Sequence, residues 1–121
     1  MRDIIKQICR IKVVPVAVIE DENYAVDIAR ALYAGGLTCV EVTFRTEAAV
    51  GAIERIKEYV PEMLVGAGTI LEPIQAKEAI AAGAEFIVSP GFNKKVVDFV
   101  LEKGSIVIPG VMTPTEIENA M

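Results

Sequence analysis

Apolar positions along the chain keep two rhythms in turn. Near-continuous apolar runs at 13–18, 38–44, 63–67, 85–88 and 105–108 read as strands covered on both faces. Between them, apolar residues recur at three and four positions, the helical spacing. Ile4, Ile5 and Ile8 form the stripe of an N-terminal helix, and Tyr24, Ile28 and Leu32 that of a helix over 22–34 ended by Gly35-Gly36. Val50, Ile53, Ile56 and Val60 mark a helix over 46–60 that Pro61 stops. Pro73 opens a helix at a position where its missing N–H costs nothing, and Gly83 ends it. Val96, Val97, Val100 and Leu101 mark another over 93–103, closed by Gly104.

Strand and helix therefore alternate without a linker, and strand starts at 13, 38, 63, 85 and 105 are evenly spaced. Parallel strands with right-handed crossovers follow. Two α/β architectures fit this order, a five-stranded doubly wound sheet or part of a (βα)8 barrel. Thr113-Pro114-Thr115-Glu116 is a capping box with proline at the first helical position. The sequence stops at Met121, barely two turns on, as if cut inside an element.

Bulk composition narrows the function classes. With 53% hydrophobic and 24% charged residues, the 121-residue chain reads as one folded domain. A net charge of −5, with no basic stripe, argues against nucleic acid as a partner. No apolar run approaches a membrane span, and residues 1–12 do not read as a signal peptide. Cys9 and Cys39 are expected to be small apolar fillers in a reducing cytoplasm, with neither a disulfide nor a metal site. The chain has no histidine, the commonest metal ligand and general base, and no cofactor is called for.

Candidate chemistry gathers at strand ends. Alternation along 39–46 puts Cys39, Glu41, Thr43 and Arg45 on one side and Val40, Val42 and Phe44 on the other. A shielded carboxylate can shuttle protons near neutrality, and an arginine fork suits a carboxylate or phosphate. The alternative is that Glu41 and Arg45 only compensate each other as an ion pair, or lie on a wet edge strand. Gly66-Ala67-Gly68-Thr69 offers exposed backbone for close approach to a ligand and a hydroxyl for an oxyanion, or simply a tight turn. Ser89-Pro90-Gly91 and Pro109-Gly110 end the next two strands, and Ser89 has no histidine to activate it. All four segments lie at the C-terminal ends of consecutive strands, where a barrel would bring them around one mouth.

On these residues the chain resembles the class I 2-keto-3-deoxy-6-phosphogluconate / 4-hydroxy-2-oxoglutarate aldolases. The resemblance runs from about Val13 to the end. It rests on E-V-T-F-R-T (41–46), V-G-A-G-T (65–69), G-A-E-F-I-V-S-P-G (83–91) and P-G-V-M-T-P-T-E (109–116), in order. It implies a (βα)8 barrel assembled as a trimer that cleaves a 2-keto-4-hydroxy acid to pyruvate and an aldehyde through a lysine Schiff base. Glu41 would be the proton-transfer glutamate, serving carbinolamine dehydration and then the enamine step. Arg45 would hold the substrate anion, Thr69 would contact the pyruvyl carboxylate, and Pro90 would line the pocket. The family's imine lysine lies beyond the Thr-Pro-Thr-Glu helix, on the sixth strand. None of Lys6, Lys12, Lys57, Lys77, Lys94, Lys95 and Lys103 is expected at the C-terminal end of a strand. Glu20, after the first strand, stands where relatives often carry a basic residue.

The expectation is therefore a single domain over 1–121, the N-terminal part of an aldolase barrel lacking strands six to eight. It would have five parallel strands, four full helices and an N-terminal helix, with no turnover by itself. A flavodoxin-like sheet or a self-associating half-barrel without enzymatic function is the alternative. A nucleotide-binding domain fits poorly, because 19–23 is acidic and lacks glycine.

Overall fold

In the computed structural model, which describes residues 3–121, the elements follow the expected alternation. Helix α1 (Ile4–Ile11) leads into strand β1 (Val16–Ala17), a 3-10 turn (Glu22–Tyr24) and α2 (Ala25–Ala34). Then come β2 (Cys39–Thr43), α3 (Ala49–Tyr59), β3 (Leu64–Gly68), α4 (Pro73–Ala82), β4 (Phe86–Ser89), α5 (Lys94–Glu102), β5 (Ile106–Pro109) and α6 (Pro114–Ala120). All five strands are parallel, in the order β1-β2-β3-β4-β5.

That order decides between the two architectures. A doubly wound sheet reverses direction at a switch point, whereas here each strand is added on the same side of the last, as in a barrel. The flavodoxin-like alternative is thereby excluded. Four full helices, α2 to α5, stand between the strands as expected, and α1 precedes them.

The sheet's two faces carry different chemistry. On the outer face Val40, Val42, Val65, Ala67 and Ile87 pack against the small and branched residues of the helices, among them Ala29, Ala52, Ile53, Ile56, Ala76, Ala79, Val96 and Val100. On the inner face Cys39, Leu64 and Phe86 cluster with Ile4, Ile8 and Ile11, so α1 closes the N-terminal end of that face. At the same end Glu85 ties α3 to the sheet: it accepts from Lys57 Nζ at 2.9 Å and from the Val65 amide at 3.1 Å. The second bond gives the Val65 amide an acceptor one residue before the first β3–β4 register pair, beside the backbone bond from the Glu85 amide to the Val65 carbonyl.

Several sequence expectations need correction. The run 13–18 forms only the two residues of β1, and Val13, Val16 and Val18 are exposed at 55%, 56% and 46%. In the described residues β1 pairs with β2 alone and forms the sheet's edge, and Pro15 interrupts the run without an N–H to give. Tyr24 is not part of a buried stripe. The 3-10 turn, held by Asp21 accepting from the Asn23 amide, rotates it outward, and Ala25 and Ala29 are buried instead. Ile5 is likewise outside the α1 stripe, which runs Ile4, Ile8, Ile11. Helix α3 begins at Ala49 because 44–48 form a turn. Cys9 is exposed and fills nothing, while Cys39 is buried as expected, and burial pushes its thiol up. Of the described helices none is long and apolar enough to cross a membrane.

Candidate active site

The polar residues of β2 occupy the sheet's inner face towards its C-terminal end. Glu41 is the partner of Gly66 in register and Thr43 the partner of Gly68. The Glu41 side chain does not lie straight across on Gly66. It leans one inward position along β3, so that a Cβ built on Gly68 would overlap its carboxylate. The space over Gly66 belongs to the ring of Phe86 from β4, which is fully buried. Burial pushes the Glu41 carboxyl above the ordinary carboxylate value, and the Arg45 guanidinium pulls it part of the way back. A carboxyl poised this way can hold a proton at higher pH than a free one.

Arg45 lies beyond the end of β2, in the turn, so simple strand alternation does not place it. Its position comes from the turn and from Thr69: Arg45 Nε donates to Thr69 Oγ1 at 3.2 Å. The two residues that the sequence suggested for anion binding therefore meet across the ends of β2 and β3. The simpler reading, a Glu41–Arg45 ion pair, is not what the structure shows. Among the described residues the ion pairs are Lys6–Asp3, Arg55–Glu22, Lys57–Glu85 and Lys94–Asp98.

Thr69 has a feature that no sequence pattern announced. Its φ is 56°, in the left-handed region that a β-branched residue seldom enters. The surrounding bonds hold it there: the Phe44 amide donates to the Gly68 carbonyl at 2.8 Å, and the Ile70 amide to the Val88 carbonyl at 3.2 Å. Strain of this kind costs about 1–2 kcal/mol and gathers at sites where a side chain must be aimed. We expect Thr69→Gly to be more stable than Thr69→Ala by about 1 kcal/mol in urea unfolding. Both lose the hydroxyl, so the difference isolates the backbone.

Neighbouring bonds stitch the rim. Thr43 Oγ1 donates to the Ala17 carbonyl at 3.4 Å and Thr46 Oγ1 to the Ile19 carbonyl at 2.5 Å, tying β2 to β1. Ser89 Oγ donates to the Gly91 carbonyl at 2.8 Å, closing the turn after β4; this is a structural use of that hydroxyl. Pro90 is exposed at the same rim, but it lines an open cleft of about 700 Å³ with Ile70, Asn93 and Lys95. Arg45 lines another, of about 350 Å³, beside Phe44 and Gln75. Glu41, Arg45 and Thr69 thus form one group, and Pro90 stands apart from it.

The expectation that Gly66 and Gly68 leave backbone open to a ligand is not met. Both are buried, and the close approach is made by neighbouring side chains, Phe86 and Glu41. Every lysine lies on or beside a helix, none at the C-terminal end of a strand. Lys6, Lys57 and Lys77 are on helices, Lys94 and Lys95 in the first turn of α5, and Lys12 and Lys103 at helix ends.

Over residues 4–121 the chain matches the model of the KDPG and KHG aldolase family. It belongs to that family. A 2-dehydro-3-deoxy-phosphogluconate aldolase of Treponema pallidum is 50% identical over 112 residues, which are 93% of this chain and 53% of that protein. The crystal structure of the 2-keto-3-deoxy-6-phosphogluconate aldolase of Zymomonas mobilis, determined with 3-phosphoglycerate, superposes with a TM-score of 0.88 at 43% identity. It covers 98% of this chain and 56% of its own. A KDPG aldolase of Legionella pneumophila, with pyruvate captured as a covalent carbinolamine, gives 0.83 at 38% identity, over 88% of this chain and 52% of its own. The fold of this family member is thus that of KDPG aldolases, a TIM-barrel-like α/β arrangement, and the chain spans about half the length of these relatives.

Proposed function

We propose that residues 1–121 are the N-terminal part of a Schiff-base aldolase barrel. It would act on 2-keto-3-deoxy-6-phosphogluconate or 4-hydroxy-2-oxoglutarate, giving pyruvate and an aldehyde. One observation carries the reading: in a member of this aldolase family, a half-buried glutamic acid and an arginine–threonine pair share the C-terminal ends of adjacent strands.

The three side chains divide the labour. Arg45 holds an anionic group of the substrate with its planar fork. Thr69 Oγ1, which accepts from Arg45 Nε, has its own proton free to donate to the pyruvyl carboxylate. Glu41 gives its proton to the carbinolamine hydroxyl as that group leaves as water. The resulting carboxylate then receives and returns protons at the enamine stage. Pro90 lines the adjoining cleft with Ile70 and Asn93 and is proposed as an outer wall of the pocket, not as a neighbour of these three side chains.

The nucleophile is assigned to a lysine on a sixth strand, since each lysine of this chain lies on or beside a helix. The exposed inner faces of β1 and β5, with Val16 at 56% and Ile108 at 39%, are the surfaces that strands six to eight would cover. The reading extends to a cytoplasmic homo-oligomer, a trimer as in the family resemblance, and to an isolated chain without turnover. The bulk composition of the chain favours neither nucleic acid nor membrane as a partner.

Joining residues 1–121 to the C-terminal half of the Treponema pallidum relative tests this. The chimera should cleave 2-keto-3-deoxy-6-phosphogluconate, assayed by pyruvate release, and the 121-residue chain should not. A folded chimera without activity would count against the assignment.

A further inference from the structure

We propose that Gly68 is a positioning residue for Glu41: its missing side chain leaves the notch that holds the glutamate carboxylate. The register makes Thr43, not Glu41, the partner of Gly68. Glu41 nevertheless reaches forward to it, because the space over its own partner Gly66 is taken by the Phe86 ring. Two glycines on one face of β3 are thus divided between two neighbours, a ring from β4 and a carboxylate from β2.

A methyl group at position 68 would overlap Cγ, Cδ and Oε1 of Glu41. The backbone there is not at positive φ, so alanine can adopt it without strain. Nor can the backbone withdraw freely, since the Gly68 carbonyl accepts from the Phe44 amide at 2.8 Å. Glu41 must therefore move. Phe86 blocks the way back, which leaves the open rim, where Arg45 lies and water reaches. Moving there would both hydrate the carboxylate and bring it nearer a cation, and both effects favour the ionised form.

From the preceding section the proposal takes only that Glu41 is the proton-transfer group. Carbon-detected NMR titration of its carboxyl, in the 121-residue chain, reads position without turnover, so absent aldolase chemistry leaves the outcome legible. The unaltered chain should titrate above the ordinary glutamate value of about 4.3, and Gly68→Ala at or below it. An unchanged titration in a folded Gly68→Ala chain overturns the proposal. Urea unfolding of Gly68→Ala, Glu41→Ala and the double variant gives a second reading. The change that Gly68→Ala makes to the midpoint should depend on whether Glu41 is present, differing between the unaltered and the Glu41→Ala backgrounds. Additive changes overturn the proposal. If Gly68→Ala does not fold, a folded double variant supports it and an unfolded one overturns it.

Discussion

Glu41→Gln in the completed barrel should lower kcat for aldol cleavage by about 10²- to 10⁴-fold, with KM changed only a few-fold. Glutamine has the size and hydrogen-bonding reach of glutamic acid but cannot give up a proton, so substrate is still seated while water elimination stalls. A parallel loss of kcat and kcat/KM marks an interaction made in the transition state. The same variant should not lose stability at neutral pH, and this separates proton transfer from a structural role. Burial raises the Glu41 carboxyl above its ordinary value. Between its unfolded and folded values the native chain therefore binds more protons than the unfolded one, and the stability this residue contributes falls as pH rises. It is fully present below the unfolded value and lost as pH passes through the folded one. Glu41→Gln removes that dependence. The variant should match or exceed the unaltered chain at pH 7, and its advantage should shrink in acid; urea midpoints across pH check this.

Arg45→Ala should raise KM by roughly 10- to 100-fold, the loss of one charge-assisted hydrogen-bonded contact to an anion. The lower part of that range is favoured, because Arg45 is exposed and its charge is screened. Arg45→Lys should recover only part of the loss, since an ammonium keeps the charge without the planar fork that also donates to Thr69. A further consequence concerns Glu41. The guanidinium counteracts the effect of burial on that carboxyl, so its removal should move the Glu41 limb of the pH–rate profile upward. A KM effect with no movement of that limb would mean that Arg45 binds substrate independently of Glu41. Steady-state kinetics at several pH values measures both.

Element type was readable in the chain because period and punctuation agreed. Pro73 and Gly83 bracket α4, and the Thr113–Glu116 capping box opens α6 as the sequence indicates. Sheet order was not readable, since evenly spaced strands suit a reversing sheet as well as a barrel, and only the pairing of β1 through β5 separates them. Burial at the edges misled for a related reason. A run such as 13–18 looks covered on both faces, yet Val16 is 56% exposed, because local sequence does not say which neighbours a strand has.

At the site, Glu41 and Arg45 stood out because charge on an apolar strand is unusual. Their geometry was hidden. Arg45 reaches Thr69 through a turn that alternation does not describe, and Thr69 adopts a φ of 56° that its residue type argues against. The part of Gly66 and Gly68 lay in other strands. Small residues in β3 matter because large ones in β2 and β4 point at them, and that pairing exists only after the sheet forms.

As proposed, Glu41 and Arg45 would be the proton shuttle and the anion clamp of an aldolase whose imine lysine is none of the seven in residues 1–121. Incubation with pyruvate and borohydride, followed by mass spectrometry of peptides, locates that amine. Reduction traps an imine as a stable pyruvyl adduct. The 121-residue chain should give no adduct, and the chimera should give one on a lysine of the relative's half. A stoichiometric adduct on Lys94, Lys95 or any other lysine of this chain would contradict the proposal.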